Sequence, residues 1–229
     1  LGLGAYRVTL RSGPGGLKDT SGNPLADGED QTYTFAVIAA EGEVPLARQA
    51  YAVSWPDVAI NSSGQRVAVW AESTGPQGSA RVLVQTYSGS GLPLRPFPLE
   101  LEAAALNRPS ESNRNTVLPA VALAEDGRFV VVYEGLATDG QGQARRAIFV
   151  QRFLPDGTLL GDPILADPDW ASAPADQAAP DVAIRPDGTQ FAVVWQEGGA
   201  TDSTRAIQGV VYGWDATASS TVITVNSTS

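Results

Sequence analysis

Acidic and basic side chains recur at corresponding places in this sequence. Three glutamates follow apolar stretches that end near an aromatic residue, and three arginines follow after a polar segment: Glu72, Glu134 and Glu197, then Arg81, Arg146 and Arg205. Two carboxyl groups can hydrolyse a glycosidic bond when one donates a proton and the other activates water or attacks the sugar. An Arg–Glu pair across the base of a loop is instead an ion pair worth about 0–1 kcal/mol. Because an active site is normally unique, a carboxylate that recurs in every repeat favours the ion pair.

Several residue types on which catalysis depends are missing. The 229 residues include no histidine, no cysteine and no methionine. This composition excludes Ser-His-Asp and Cys-His catalysis, zinc sites built on imidazole or thiolate, haem ligation and disulfides. No glycine-rich loop follows a strand and opens a helix to cradle phosphate. We therefore predict that the chain is not an enzyme.

The charge balance excludes two further classes of partner. Fifteen basic and 25 acidic side chains give a formal net charge of −10, and the basic residues are scattered rather than clustered. Binding to nucleic acid or to an anionic membrane surface depends on clustered cations, so neither partner is expected. An apolar run of about 18 residues, which a membrane-spanning helix needs, is also missing. The low content of charged residues and the acidic balance are typical of a secreted, extracellular protein.

Two other groups of side chains are candidates for binding. One polar turn region carries oxygen ligands of the kind that Ca²⁺ prefers, although their spacing is not that of an EF-hand; they are Asp19, Asn23, Asp27, Glu29 and Asp30. No other cofactor is expected. Three tryptophans lie outside the repeating pattern and are candidates for an exposed contact with a partner or a sugar; they are Trp55, Trp170 and Trp214.

The elements that position these groups follow from an internal repeat. The prolines 56, 119 and 180 are 63 and 61 residues apart, and the aromatic residues 70, 133 and 195 are 63 and 62 apart. Each copy contains four short extended stretches separated by turns, which predicts a four-stranded antiparallel meander. Corresponding positions predict a shared core that comprises Val58, Ile60, Val67, Val69, Trp70, Val121, Val131, Tyr133, Ile148, Val182, Val193 and Trp195.

The second strand of each repeat is apolar on both faces. Phe129, Val131 and Tyr133 alternate with Val130 and Val132. A sheet with two apolar faces must be covered on both, and the blades of a β-propeller meet that need because each packs between two others. Closed propellers have about four to eight blades, so three repeats leave two flanks to be covered by further repeats or by self-association.

Two resemblances add to this interpretation. The pattern Pro-x-Val-Ala, Asp-Gly-x-Phe-x-Val-x-Trp over residues 49–229 resembles propeller-like repeats of very large secreted bacterial surface proteins. Residues 1–40, with Tyr-x-Val-x-Leu, Lys-Asp-x-x-Gly-Asn-Pro-Leu and Tyr-x-Phe-x-Val, resemble the last strands of a bacterial immunoglobulin-like domain. Such modules are often combined on one extracellular chain, so the resemblance implies a piece of a longer precursor.

The sequence thus predicts an all-β chain with two parts. Residues 1–43 form the C-terminal part of an immunoglobulin-like β-sandwich, and residues 44–229 form a partial β-propeller of three blade-like repeats, at about 49–113, 114–175 and 176–229. The predicted function is a non-enzymatic structural or adhesive segment of a bacterial cell-surface protein. It would act through association with itself, with neighbouring repeats or with surface glycans. One alternative is a carbohydrate-binding or glycoside-cleaving propeller, and a second is a calcium-dependent extracellular scaffold.

Overall fold

The structure is a computed structural model that describes residues 4–11, 31–37, 52–73, 80–101, 117–172, 175–198 and 206–226. Over these ranges the secondary structure is β-strand and turn, without a helix. The chain divides into two compact units, Leu1–Pro45 and Leu46–Ser229. The turn region that carries the predicted calcium ligands Asp19, Asn23, Asp27, Glu29 and Asp30 lies outside the described residues. Calcium binding there stays a prediction.

The first unit contains one antiparallel strand pair. Strand β1 (Gly4–Leu10) pairs with β2 (Gln31–Val37), with Gly4 opposite Val37 and Leu10 opposite Gln31. The motifs Tyr-x-Val-x-Leu and Tyr-x-Phe-x-Val lie in these two strands. Their assignment to an immunoglobulin-like domain stays a prediction, as do the domain boundaries.

The second unit contains three antiparallel sheets of four strands among the described residues, each built from consecutive strands. They are the blades of a partial β-propeller, as the repeat predicts. Blade 1 consists of β3 (Ala52–Ile60), β4 (Arg66–Ser73), β5 (Ala80–Tyr87) and β6 (Leu99–Leu101); blade 2 of β7 (Ala120–Leu123), β8 (Phe129–Thr138), β9 (Ala144–Phe153) and β10 (Leu159–Leu165); and blade 3 of β11 (Gln177–Ile184), β12 (Gln190–Glu197), β13 (Ala206–Gly213) and β14 (Ile223–Thr224).

Each blade has two flanks because side chains alternate across a strand. We call the flank that faces the preceding blade the front flank and the other the rear flank. In blade 2, the front flank carries Phe129 and Val131 and packs against blade 1, whereas the rear flank carries Val130 and Val132 and packs against blade 3. All four side chains are buried. The strand that is apolar on both faces therefore lies in the middle of the stack, as predicted.

Two apolar cores hold the three blades together. Between blades 1 and 2, Val67, Val69 and Val82 meet Phe129 and Phe153, whose rings stack with centroids 4.4 Å apart. Between blades 2 and 3, apolar side chains from both blades form the second core, in which the Phe191 and Tyr212 rings stack at 5.3 Å; its members include Val130, Val132, Ile148, Val150, Val182, Val193, Trp195 and Val210.

The predicted core is confirmed except in β3. Ten of the twelve residues are buried, but Val58 and Ile60 are 64% and 65% exposed. The prediction for these two is wrong because they lie on the front flank of blade 1, and among the described residues no blade precedes it. Their counterparts Val121 and Val182 are buried against the preceding blade.

Buried glutamines fasten the fourth strand of two blades. In blade 1, Gln85 Nε2 donates to the Thr86 and Arg95 carbonyls at 3.3 and 3.0 Å. In blade 2, Gln151 Nε2 donates to the Arg152 and Gly161 carbonyls at 2.9 and 3.1 Å. Each amide thus ties the third strand to the fourth strand of the same blade, or, in blade 1, to the segment that leads into it. We call this arrangement the glutamine bracket.

Polar side chains join one blade to the next at the end where the β3–β4 turn and its counterparts lie. Gln65 donates to the Pro155 carbonyl at 2.9 Å and approaches Gly127. At the next boundary, Arg128 donates to the Asp187 carbonyl at 3.3 Å and approaches Gly188. Gln65 and Arg128 both immediately precede the second strand of their blade. Gln65 and Arg128 thus approach corresponding glycines of the next blade, whereas their hydrogen bonds go to different turns, β9–β10 and β11–β12.

Candidate functional site

The three recurring glutamates are not equivalent. Glu72 and Glu197 lie two residues after Trp70 and Trp195, whereas Glu134 directly follows Tyr133. A shift of one residue moves a side chain to the other face of a strand. Glu134 therefore belongs to the rear flank, where its Oε1 accepts the Ala179 N–H of blade 3 at 2.7 Å.

Glu72 is held in a complete set of hydrogen bonds. It is buried, and its Oε1 accepts the Trp70 indole N–H at 3.1 Å, while its Oε2 accepts Arg81 at 2.9 Å. Arg81 also donates to Glu100 at 2.9 Å, and the hydrogen bond to Glu72 is the main reason that the pKa of Arg81 is raised. The ion pair predicted across the base of this loop is present, and its role is to satisfy a buried charge.

Glu134 has a similar structural role in blade 2. Its carboxylate lies 3.8 Å from the Arg146 guanidinium, and the Arg146 backbone N–H donates to Asp176 of the following segment at 3.2 Å. These contacts connect blade 2 to the start of blade 3. The predicted partner of Glu197, Arg205, lies outside the described residues.

Glu197 lies beside a second carboxyl group at the boundary of blades 2 and 3. Asp167 follows β10 and is buried, and its Oδ2 lies 3.5 Å from Gln177 Nε2. Gln177 is the register partner of Glu197 in the β11–β12 pair. Asp167 and Glu197, from neighbouring blades, are thus both neighbours of Gln177.

Burial favours the protonated forms of this acid pair, Asp167 and Glu197. Burial raises the pKa of Asp167, against a hydrogen bond from the Asp169 N–H that lowers it. Burial also raises the pKa of Glu197, and the charge of Asp167 raises it further, whereas a hydrogen bond with Gln208 lowers it. Burial and the Asp167 charge raise the pKa of Tyr212 to about 12. A carboxyl group with a raised pKa is suited to donate a proton.

A buried indole N–H accompanies the acid pair. Trp195 Nε1 is buried and has no hydrogen-bond partner in the structure, whereas the equivalent Trp70 donates to Glu72. An unmet buried donor costs about 1–3 kcal/mol. Glu197 is thus not used as Glu72 is, although both occupy the same place in the repeat.

The three non-periodic tryptophans have different surroundings. Trp55 is 50% exposed in β3 and fits the predicted contact surface. Trp170 does not, because its side chain is buried and its Nε1 donates to the Ala175 carbonyl at 2.9 Å. Trp214 is partly buried beneath the Arg128 guanidinium, 4.7 Å from its ring centroid. The use of Trp55 and Trp214 as contacts stays a prediction.

Two features are absent from the described residues, a cluster of metal-binding side chains and a membrane-spanning helix. They contain no group of three or more acidic side chains placed to hold a metal ion. Within the same ranges, no helix has the length and apolarity to cross a membrane.

Comparison with known proteins gives structural similarity at low sequence identity. No protein-family profile matches the chain, and no curated protein matches it. Among solved structures, a GH43 endo-arabinanase from Bacillus licheniformis aligns over 76% of this chain and 59% of its own, with 12% identity and a TM-score of 0.39. An alpha-L-arabinanase of Cellvibrio cellulosa, complexed with arabinohexaose, aligns over 88% and 65%, with 14% identity and a TM-score of 0.39.

An alpha-L-arabinofuranosidase from Lactobacillus brevis aligns over 92% of this chain and 70% of its own, with 16% identity and a TM-score of 0.40. The chain therefore spans 59% and 65% of the length of the two arabinanases. These similarities agree with the propeller-like sheets and extend no further than the fold. They also correct one prediction. We predicted that the chain is not an enzyme, but three of the solved structures that it resembles are enzymes, two arabinanases and an arabinofuranosidase.

Proposed function

We propose that this chain binds carbohydrate and cleaves glycosidic bonds, with the reaction at the boundary of blades 2 and 3. Glu197 is the general acid, and Asp167 is the second carboxylate. This function is the first alternative from the sequence, a carbohydrate-binding or glycoside-cleaving propeller. Residues of the acid pair come from two blades, so the site exists only when the blades are stacked.

The observation that carries the proposal is the difference between Glu197 and Glu72. Both follow a buried tryptophan by two residues, but Glu72 bonds to its tryptophan and to Arg81, whereas Glu197 leaves the Trp195 N–H unmet and lies beside a second acid. Unsatisfied buried groups in native proteins call for an explanation, and catalytic sites are one of the places where they occur. Glu72 is thus a structural carboxylate, as expected for a residue that recurs in every repeat, whereas Glu197 is not bonded in this way.

The two carboxyl groups have distinct roles because their environments differ. Glu197 is only partly buried, so a sugar oxygen can reach its proton. Asp167 is more deeply buried, and its ionised form favours the protonated form of Glu197. Glycoside hydrolysis needs this division between one carboxyl that donates a proton and another that acts on the opposite side of the bond.

We also propose that the protein works outside the cell, on polysaccharide. The net charge of −10 disfavours a polyanionic ligand and suits an uncharged polysaccharide. The first unit would then be an accessory immunoglobulin-like module. Trp55, exposed on blade 1, is the candidate for stacking on a sugar ring.

The test is hydrolysis of a panel of aryl glycosides and plant oligosaccharides, with release of reducing sugar as the readout. Glu197→Gln and Asp167→Asn should each lower the rate by about 100-fold or more, because general acid catalysis contributes about 10²–10⁴-fold. Glu100→Gln is the matched control, since this glutamate is exposed and bound to Arg81 on blade 1. The wild-type rate should fall as the pH rises through the raised pKa of Glu197.

Two results would contradict the proposal. One is a folded wild-type chain that neither binds nor hydrolyses any member of the panel. The other is activity that survives both Glu197→Gln and Asp167→Asn, which would place the chemistry elsewhere.

A further inference from the structure

The residue opposite the aromatic side chain of the second strand differs from blade to blade. The register partners are Leu83 for Trp70 in blade 1, Phe149 for Tyr133 in blade 2 and Gln208 for Trp195 in blade 3. Directly opposite residues of an antiparallel pair lie on the same face of the sheet. Blade 3 therefore has a polar side chain beside its aromatic residue, where the other two blades have an apolar one.

This difference accompanies a change in the contacts of the glutamate that follows. Glu72 and Glu197 both lie two residues after the tryptophan of their strand. In blade 1, where the opposite residue is apolar, Glu72 accepts the Trp70 indole N–H at 3.1 Å. In blade 3, Glu197 is hydrogen-bonded to Gln208, and the buried Trp195 N–H has no partner in the structure.

We infer that Gln208 is a positioning residue of the proposed site, because it holds the Glu197 carboxyl away from Trp195 and beside Asp167. The inference rests on the proposed function and identifies the residue that makes Glu197 available to it. Gln208 is the diagonal neighbour of Glu197 in the β12–β13 pair. Long side chains at such positions can reach each other.

The cation that pairs with Glu72 in blade 1 is replaced by an alanine in blade 3. Arg81 stands opposite Glu72, whereas Ala206 stands opposite Glu197. Gln208 thus supplies Glu197 with a hydrogen bond but not with a positive charge. An uncharged donor fixes the position of a carboxyl group without the strong preference for the ionised form that a guanidinium brings.

The direction of the Gln208 amide is set from the outermost strand of the blade. Thr224 is the register partner of Gln208 in the β13–β14 pair, and its hydroxyl donates to Gln208 Oε1 at 3.2 Å. With its carbonyl occupied in this way, the amide presents its NH2 group to Glu197. Glu197 can accept this donor on one oxygen and carry its own proton on the other.

The experiment follows the indole N–H of Trp195 by proton–nitrogen NMR, with Trp195→Phe to assign the resonance. Gln208→Leu introduces the residue of blade 1 and should free Glu197 to accept this N–H. The new hydrogen bond should move the proton resonance downfield and slow its exchange with water. Adding Glu197→Ala should return the resonance to its wild-type position. Gln190→Leu is the matched control, because this partly buried glutamine lies at the other end of β12.

Thr224→Val tests the direction of the amide by a second route. Thr224 is exposed, so this variant folds even if leucine is poorly accommodated at position 208. The Trp195 resonance should shift in the same direction as in Gln208→Leu, by a smaller amount. Thr189→Val should leave the resonance unchanged, since it removes an exposed hydroxyl that bonds to Asp187 in the β11–β12 turn.

The hydrolysis assay supplies a second readout. Gln208→Leu should lower kcat by up to about 100-fold, because a small displacement of a reacting group can cost that much. KM should change little, since Gln208 acts on the acid and not on the sugar. A variant that raises KM and leaves kcat unchanged would contradict the assigned role.

The two readouts separate failure of this inference from failure of the proposed function. A Trp195 resonance that neither Gln208→Leu nor Thr224→Val moves would overturn the inference, whatever the activity of the wild type. A resonance that moves but does not return when Glu197→Ala is added would also overturn it, because another group would then accept the N–H. If the resonance behaves as expected in a chain without hydrolytic activity, Gln208 still positions Glu197 and the proposed function fails.

Discussion

The same substitution should have opposite effects at Glu72 and Glu197, which occupy the same position in two repeats. Glu72→Gln replaces a carboxylate that accepts from Trp70 at 3.1 Å and from Arg81 at 2.9 Å. The glutamine carbonyl can still accept from Trp70, so the loss is the charge-assisted bond. Glu197→Gln removes a carboxylate whose charged form is disfavoured by burial and by Asp167.

The size of the first effect follows from the exposure of the two partners. A hydrogen bond to a charged group contributes about 1.5–3 kcal/mol. Arg81 is one-third exposed and keeps its bond to Glu100, so solvent and the second carboxylate offset part of the loss. We expect Glu72→Gln to lower the free energy of unfolding by about 1–2 kcal/mol, which lowers Tm by about 2–8 °C in a chain of this size.

The second effect depends on pH. A carboxyl group whose pKa is raised in the folded state destabilises the fold once it ionises there. The stability of the wild-type chain is therefore full below the unfolded pKa of Glu197 and is lost as the pH rises through its folded pKa. Glu197→Gln removes this loss. The variant should match the wild type at acid pH and be more stable than the wild type at neutral pH.

Urea unfolding followed by tryptophan fluorescence measures both effects. All five tryptophans lie within residues 46–229, so the signal reports on the blades and not on the first unit. The reasoning is refuted if Glu72→Gln and Glu197→Gln lower the stability equally at neutral pH. In that case Glu197 would be a structural carboxylate like Glu72.

Three further predictions concern the turns and the core. Ala216 has φ of 69° at a turn position where blades 1 and 2 have Gly91 and Gly157. Glycine adopts this conformation without strain, so Ala216→Gly should raise the free energy of unfolding, measured by urea titration, by about 0.5–1 kcal/mol. Phe129→Ala should lower the free energy of unfolding by about 3–5 kcal/mol, because it removes the stacked core pair with Phe153. Leu159→Ala, at an exposed site, should change the free energy of unfolding by less than about 0.5 kcal/mol, and equal effects of the two substitutions would contradict the assigned burial. Asp139 accepts hydrogen bonds from the Gln143 and Gln141 N–H groups and from Arg145, and these bonds lower its pKa, so its contribution to stability is present above its unfolded pKa and is lost as the pH falls through the folded pKa. Asp139→Asn should therefore destabilise the loop at pH 7, and the difference from the wild type should shrink as the pH falls through the folded pKa, as hydrogen exchange of the Gln143 amide will measure.

The sequence predicted the blades because their pattern is local. The spacing of prolines and aromatic residues and the two-faced apolar strands depend only on each repeat, and the observed strands and ten of the twelve core residues agree. Exposure at Val58 and Ile60 could not be predicted, since it depends on whether another blade precedes β3. The burial of Trp170 depends in the same way on how the connection between blades 2 and 3 folds back.

Of the acid pair, the sequence identified Glu197 as a candidate but not Asp167. Glu197 stood out by its position, but Asp167 lies 30 residues earlier in a polar connection, and no spacing rule joins the two. Their proximity comes from the stacking of blade 3 on blade 2. The different orientation of Glu134 was visible in principle, because it directly follows Tyr133 whereas Glu72 and Glu197 come two residues after their tryptophans.

The glutamine bracket bears on how such a chain arises in evolution. Among the described residues, the side-chain amides of Gln85 and Gln151 donate to carbonyls of their own blade, so each repeat helps to fix its own outermost strand. A duplication that copies one repeat therefore copies a blade with its fourth strand already secured. Blade 3 has Val210 in place of the glutamine, and its fourth strand, β14, is only two residues long. Gene duplication can thus add or remove whole blades here, while loss of a single glutamine frees the edge of one blade to diverge.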